Sequence, residues 1–284
     1  MADKFWTATG SATSLATTTN WNGSALPIAG DNVRFPAGTA GVNAGLTTLS
    51  TATLGGSLGY LIFEPGYEGV VGVRTVAQAN PTYMDVTPSR FEFAGTGQAF
   101  INLQAANIAA LVNRTATPVT GERGLYLKGT GPITVLTVNG GSVGVAAFMG
   151  EVSTVTTARV NEGGSLWLGA GVTGTTVQVH GGFDNRIRCA LTTLTQYAGE
   201  VTTEETGAIT TVNLYGGRLI PGSTGTITTL NGFEGDINFM EHDSARTVTT
   251  LNMYYATATF NVEAVTLTNG ITLQRSARAS FSRL

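Results

Sequence analysis

The sequence predicts an all-β fold, and more narrowly a parallel β-helix (β-solenoid) over residues 133–275. Three observations lead to this prediction. Thr and Val recur throughout and 38 of the 284 residues are glycine, a composition that favours strands joined by turns. One sequence motif, which consists of a strand, a glycine turn and a second strand, recurs at intervals of 16 to 22 residues. Sustained amphipathic helical patterns are almost absent.

The repeat consists of a β-branched residue, one or two threonines, an aliphatic residue, a polar residue, a glycine turn and a second apolar strand. Its clearest copies are residues 133–143 and 209–219. The eight copies begin at Ile133, Val155, Thr175, Leu191, Ile209, Ile227, Val248 and Val265. One unit cannot bury its apolar side alone, whereas stacked coils place equivalent aliphatic residues about 4.8 Å apart.

Alignment of the copies predicts which side chains point inwards. The residues after the turns should form one buried column: Val143, Leu166, Val201, Leu219 and Ile237. Val138, Val179 and Leu214 should form another. Gly-Gly pairs at 140–141, 163–164, 181–182 and 216–217 indicate corners that need a positive φ or close backbone approach. We expect right-handed winding, the usual hand of parallel crossovers. The alternative is a β-sandwich of repetitive composition, which would not keep its turns in phase over eight units.

The first half of the chain is less regular, so the sequence predicts three parts. Residues 1–50 contain two of the three tryptophans and are interpreted as an irregular N-terminal arm or cap, because a solenoid must cover the apolar edge of its first coil. Residues 51–130 are interpreted as irregular β coils, within which residues 104–114 could form a short helix or a strand. Residues 131–284 are predicted to be the regular solenoid.

Charge and hydropathy exclude several classes of protein. The net charge is −3, and no cluster of Lys and Arg provides the basic footprint of a nucleic-acid binder. No stretch is apolar and long enough to span a bilayer, and no signal-peptide pattern is seen, so we expect neither a membrane partner nor export. The single cysteine, Cys189, cannot form an intramolecular disulfide and is expected to be a small buried side chain.

The N-terminal motifs resemble a known group of proteins. Phe-Trp at residues 5–6, Asn-Trp at 20–21 and Pro-x-x-Gly-Asp-x-Val-x-Phe at 27–35 are similar to the opening of tailed-bacteriophage virion structural proteins with β-helix bodies. Further matches are residues 66–72, 125–131 and 141–146. The resemblance implies a head decoration (cement) protein or a fibre, made in the host cytoplasm and located on the virion. Its partners would be capsid or other virion proteins, and a homotrimer is the simplest assembly on a symmetric shell.

Some phage β-helices degrade polysaccharides, so the acidic residues are candidate catalysts. A glycosidase needs two carboxylates about 5–9.5 Å apart. The candidates are Asp184, Glu200, Glu204, Glu205, Glu234, Asp236, Glu241 and Asp243. Alignment of the turns places Glu200, Arg218 and Asp236 at one position of successive coils, which predicts a charge ladder. An interposed arginine suits neither a general acid nor a base, so we expect no catalytic residue, and a depolymerase is the less favoured alternative.

Metal and cofactor sites are not expected either. His180 and His242 have no further ligand at metal-binding spacing, and the Gly-Gly pairs belong to turns, not to a phosphate-binding loop. Asp31 follows a glycine turn and is expected to cap the local backbone, with Ca²⁺ binding as the alternative.

Aromatic residues supply the candidate binding surface. The residue before each glycine turn is Asn139, His180, Tyr197, Tyr215 and Phe233, with Met253-Tyr254-Tyr255 in the next coil. Strand alternation directs these side chains outwards, and an exposed aromatic stripe is typical of a protein interface or a sugar platform unless a loop of the monomer covers it. The interface candidates are therefore Trp6, Trp21, Phe35, Tyr197, Tyr215, Phe233 and Tyr254. A receptor- or glycan-binding fibre or spike is the alternative function.

Overall fold

The structure is a computed structural model that describes residues 2–9, 13–74, 81–105, 107–115 and 122–282. It is a β-solenoid of stacked parallel strands with almost no helix, which confirms the predicted fold class. The chain forms two compact units, Met1–Val155 and Thr156–Leu284.

The first unit contains eleven complete strands and the start of a twelfth. They are β1 (Asp3–Phe5), β2 (Thr13–Ser14), β3 (Asn32–Phe35), β4 (Val42–Ala44), β5 (Tyr60–Phe63), β6 (Met84–Val86), β7 (Arg90–Phe93), β8 (Ala99–Leu103), β9 (Ile108–Val112), β10 (Leu125–Lys128), β11 (Ile133–Val145) and β12 (Ser153–Leu168). Its short helices are two 3-10 turns, Thr18–Asn20 and Asn22–Ser24, and α1 (Thr51–Leu54). Ser50 begins α1, since its hydroxyl accepts the Thr53 N–H, and Gly55 ends it with φ 67°.

The first unit stacks its strands in two parallel rows. One row is β1, β3, β5, β7, β9 and β11, and the other includes β6, β8, β10 and β11. The pairing passes across residues 50 and 130, where composition suggested boundaries. Strand β9 resolves the ambiguity over residues 104–114 in favour of a strand. Val143 belongs to this unit, where it lies buried opposite Leu125.

The second unit is the more regular one. After β12 it contains β13 (Val172–Val179), β14 (Asn185–Ile187), β15 (Leu191–Gln196), β16 (Glu200–Thr203), β17 (Ile209–Leu214), β18 (Arg218–Pro221), β19 (Ile227–Gly232), β20 (Asp236–Asn238), β21 (Arg246–Met253), β22 (Thr257–Asn261), β23 (Val265–Leu267), β24 (Ile271–Leu273) and β25 (Arg278–Ser282). Each strand pairs in parallel with the equivalent strand of the next coil.

The inward column of this unit is confirmed in part. Val201, Leu219 and Ile237 lie opposite one another on β16, β18 and β20, and all three are fully buried. Leu166 is also buried, but Asn185, which the alignment did not include, lies between it and Val201. Its amide accepts the Leu166 N–H at 3.1 Å and donates to the Glu200 carbonyl at 2.9 Å, so burial leaves its polar atoms bonded.

The second predicted column contains an unexpected glutamine. Gln196 lies between Val179 and Leu214, with no exposed surface. Its Nε2 donates to the carbonyls of Gly199 and Arg218, each at 2.9 Å, so the side chain ties the strand to its own turn and to the next coil. Sequence alignment missed both polar residues because it assigned an aliphatic to every inward position.

The predicted corners and repeat starts also need adjustment. Gly141, Gly182 and Gly217 have φ values of 78°, 80° and 81°, as expected of glycine corners. The pair at 163–164 meets the expectation through close backbone approach and not through a positive φ, because the Gly164 carbonyl lies where a Cβ on Gly182 would be. The last repeat begins two residues later than predicted, since Val248 pairs with Leu267 rather than with Val265.

Candidate binding surface

Five aromatic side chains of the second unit stack on the outside of its coils. The residues are His180, Tyr197, Tyr215, Phe233 and Tyr254, and we call them the aromatic ladder. Successive ring centroids lie 4.6, 5.3, 4.7 and 5.0 Å apart, with interplanar angles of 11°, 11°, 5° and 9°. The spacing follows from the fold, because residues at one position of stacked coils repeat at the strand spacing of about 4.8 Å.

The aromatic ladder faces solvent because the residue before each ring points inwards. Gln196, Leu214 and Met253 are fully buried, and strand alternation turns the following residue outwards. Tyr197 is 44% exposed and Tyr215 is 42% exposed, while Phe233 and Tyr254 are half-buried. The aromatic stripe expected from the sequence is therefore a continuous surface feature. Asn139 lies in the first unit, where it donates to Asn113 at 2.8 Å.

The stacking decides which part of each ring a partner can touch. An inner ring of the aromatic ladder has a neighbouring ring against both faces, so its edge remains for other contacts. A sugar that stacks on an aromatic face cannot use these inner rings. A protein surface can use their edges, together with the hydroxyls of Tyr197, Tyr215 and Tyr254.

An asparagine ladder runs beside the rings and fixes their register. Asn231 donates to the Asn213 side chain at 2.9 Å, and Asn252 donates to the Asn231 side chain at 3.0 Å. Asn213 and Tyr215 point to the same side of their strand, two residues apart. The hydrogen-bonded amides thus keep successive coils aligned next to the rings.

The charge ladder lies just beyond the glycine turns. Glu200, Arg218 and Asp236 are opposite one another on β16, β18 and β20, in the order that the aligned turns predict. Arg218 lies 3.2 Å from Glu200 and 3.9 Å from Asp236, and it also pairs with Glu241. These side chains remain 35–46% exposed, so each pair contributes only about 0–1 kcal/mol to stability.

A groove of about 460 Å³ opens at one end of the aromatic ladder. Its lining residues are Tyr215, Phe233, Glu234, Tyr254, Tyr255 and Arg275. Arg275 lies over the Tyr255 ring, 5.2 Å from its centroid, and a hydrogen bond to the Tyr255 hydroxyl raises the pKa of Arg275. Sequence reasoning named Glu234 among the acids and Tyr255 next to the last ring of the stripe, but it missed Arg275 as a site residue. The signal for Arg275 is its separation from Tyr255 by about one coil length, which places its guanidinium over the Tyr255 ring.

The N-terminal aromatic residues are not a surface. Trp6, Trp21 and Phe35 are at most 1% exposed, with ring centroids 5.1 to 6.0 Å apart. The two indole N–H groups donate to the carbonyls of Ala40 and Leu15, each at 2.8 Å. Because these side chains are used within the first unit, the prediction that they contact another subunit is wrong.

Several of the remaining candidate acids are engaged in ion pairs. Arg186 contacts Asp184 at 2.5 Å and Glu204 at 3.1 Å, and Arg188 contacts Glu204 at 2.8 Å and Glu205 at 3.5 Å. Arg186 and Arg188 also lie over the Trp167 ring, 4.8 and 5.6 Å from its centroid. This arrangement neutralises carboxylates that a glycosidase would need as acid and base.

The other residues considered from the sequence have local roles. Asp31 accepts the N–H groups of Ala2 and Ile28 at 3.0 and 3.1 Å, as expected of a backbone cap. Burial raises the pKa of the Cys189 thiol to about 11. Within the described ranges, no three His, Cys, Asp or Glu side chains are grouped as a metal ion would require. In the same residues no helix is long and apolar enough to cross a bilayer.

Comparisons of the chain with protein-family models, with curated proteins and with solved structures find no match.

Proposed function

We propose that this protein is a non-enzymatic structural component of a larger assembly, most concretely a decoration (cement) protein on the outer surface of a phage head. The aromatic ladder is the observation that carries the proposal. It is a rigid, preformed strip of ring edges and hydroxyls, so a partner would pay little ordering entropy to bind it. The N-terminal motifs support the phage assignment, and the ion pairs around Arg186, Arg188 and Arg218 argue against a depolymerase.

The chemistry of the surface fits a protein partner. Tyr and Arg are enriched among the residues that dominate binding energy in interfaces, and the aromatic ladder presents tyrosines beside Arg218. Binding across neighbouring capsid subunits would stabilise the assembled shell by mass action, because only the assembled shell offers the complete site.

The test is a pair of double variants added to phage heads that lack this protein. Tyr215→Ser with Phe233→Ser removes the centre of the aromatic ladder and should abolish co-sedimentation with the heads, while leaving the far-UV CD spectrum unchanged. The matched control, Thr210→Ser with Thr228→Ser, alters an exposed residue on each of the strands that lead to Tyr215 and Phe233, and it should bind like the wild type. Normal binding by the ladder variant would show that this surface is not the interface.

A glycan-binding fibre is the second candidate, and the groove beside Tyr255 favours it. The groove combines aromatic rings with a carboxylate and a guanidinium, the groups that orient sugars in binding sites. Tyr255 lies outside the aromatic ladder and is 51% exposed. Tyr255→Ala and Arg275→Ala should then weaken binding to an oligosaccharide array, and absence of binding by the wild type would remove this candidate.

A further inference from the structure

Three polar side chains occupy one position on successive strands of the first unit. Asp85 on β6 lies opposite Asn102 on β8, and Asn102 lies opposite Lys128 on β10. Neighbouring strands of a sheet lie about 4.8 Å apart, so side chains at equivalent positions are adjacent. The fold therefore holds the Lys128 amine and the Asn102 amide within reach of each other. Asp85 orients the amide, since it accepts a hydrogen bond from Asn102 Nδ2 at 2.7 Å.

The surroundings of Lys128 suit proton transfer from its ammonium group. Lys128 Nζ lies 4.0 Å from the centroid of the Tyr83 ring and 3.8 Å from Glu151 Oε1. The Glu151 side chain is 4% exposed, and its Oε1 accepts no hydrogen bond from the described residues. The other carboxylate oxygen, Oε2, accepts the Phe148 N–H at 3.1 Å, which fixes the carboxylate beside the ammonium group.

The choice of lysine at this position is itself informative. The chain contains two lysines, Lys4 and Lys128, against 13 arginines. An arginine would make the ion pair and the cation-π contact at least as well, but a guanidinium cannot lose its proton and act as a nucleophile. A lysine amine can.

We propose that Lys128 and Asn102 are joined by an intramolecular isopeptide bond, with Glu151 as the proton-transfer group. Glu151 takes a proton from the Lys128 ammonium, and the free amine attacks Cγ of Asn102. A C–N bond forms between Lys128 Nζ and Asn102 Cγ, and the bond from Cγ to Nδ2 breaks. The Nδ2 amino group takes up the proton held by Glu151 and the one released from the attacking nitrogen, so it leaves as an ammonium ion and Glu151 returns to its carboxylate form. No oxidant or cofactor takes part.

The site has a route for the leaving group. Asn102, Lys128 and Glu151 line one surface cavity of about 360 Å³, from which ammonia can escape to solvent. The bond would tie β8 to β10 covalently and close the chain between residues 102 and 128. It depends neither on the aromatic ladder nor on the proposed function.

Intact-mass spectrometry of the purified full-length chain tests the proposal. The wild type should weigh one ammonia less than its sequence requires. Trypsin should release residues 91–114 joined to residues 124–159, because an acylated Lys128 is no longer cleaved. Lys128→Arg, Asn102→Ala and Glu151→Gln should each keep the full sequence mass. Asn102→Asp should lose water instead and reach the same final mass as the wild type.

The second lysine provides the control. Lys4→Arg should lose ammonia as the wild type does, and far-UV CD spectra should show that each variant is folded. The bond should also raise the melting temperature of the wild type above that of Lys128→Arg. A wild-type chain of full sequence mass after prolonged incubation at neutral pH, with normal tryptic cleavage after Lys128, would overturn the proposal.

Discussion

The two units differ in where they place their largest groups of aromatic rings. In the first unit Trp6, Trp21, Phe35, Phe63 and Tyr67 are buried, and the angles between neighbouring rings range from 16° to 71°. In the second unit the aromatic ladder is on the outside, and no angle between its neighbouring rings exceeds 11°. The interior of the second unit is filled mainly by aliphatic columns such as Val201, Leu219 and Ile237.

The difference follows from the regularity of the coils. When successive coils have nearly the same length, equivalent residues lie directly above one another. Aromatic rings at such a position therefore stack face to face. Coils of variable length leave interior spaces of irregular shape, and large rings at mixed angles fill such spaces. Aromatic residues therefore support the core of the first unit, whereas the second unit buries Phe239 and Phe260 and carries the aromatic ladder on its surface.

The largest effect is expected from a charge in an aliphatic column of the second unit. Leu219 is fully buried between Val201 and Ile237, so Leu219→Asp would leave a carboxylate without a partner. We expect destabilisation beyond about 4 kcal/mol and loss of soluble protein on expression. Thr210→Asp, at an exposed position of β17, is the control and should express normally. Soluble, cooperatively unfolding Leu219→Asp would contradict the assignment of stability to this column.

The contrast between buried and exposed rings can be tested by removing one ring of each kind. Trp21→Ala removes a buried ring and leaves the Leu15 carbonyl without its donor, so it should cost about 3–5 kcal/mol. Tyr215→Ala removes an exposed ring and the stacking on its two neighbours, which is worth about 0.5–1.5 kcal/mol for each aromatic pair. Urea unfolding followed by far-UV CD measures both. Equal losses of stability would mean that the aromatic ladder is a core element.

The regular turns that align the aromatic ladder can be tested at glycine. Gly217 has φ 81°, and an added Cβ would lie 2.3 Å from the Gly199 carbonyl oxygen. Gly270 has φ 72° with nothing within 4 Å, so Gly270→Ala should cost only the left-handed strain, about 1–2 kcal/mol. Gly217→Ala should cost about 1–3 kcal/mol more, because the neighbouring coil must move. Identical thermal unfolding of the two variants would refute close stacking at this corner.

The smallest expected effect concerns Asn185, the polar residue in the aliphatic column. Asn185→Leu would complete the apolar column predicted from the sequence, but it would remove the acceptor of the buried Leu166 N–H. We expect a net loss of about 1–3 kcal/mol by urea unfolding, the usual cost of a buried group left unpaired. Val201→Leu serves as the control for added volume. A gain in stability for Asn185→Leu would mean that apolar burial outweighs the lost hydrogen bonds.

The repeat made much of the second unit predictable. Positions such as Tyr215 and Phe233, or Glu200 and Arg218, could be aligned because each lies at a constant distance from a glycine turn. Alignment failed where a polar side chain replaces an aliphatic, as at Gln196, and where the coil length changes, as at Val265. The winding hand, the trimer and the virion location stay predictions.

Periodicity by itself determined that this protein is a solenoid with an outward aromatic stripe, because a repeated pattern of inward and outward residues has few other folded solutions. Only the tertiary structure decided which aromatic residues are available to a partner. Trp6 and Trp21 have the same interface-forming chemistry as Tyr215, yet they are buried. Burial depends on how irregular coils of different lengths close over one another. The tertiary structure also brings Asn102, Lys128 and Glu151 together, because residues far apart along the chain become neighbours only when coils stack.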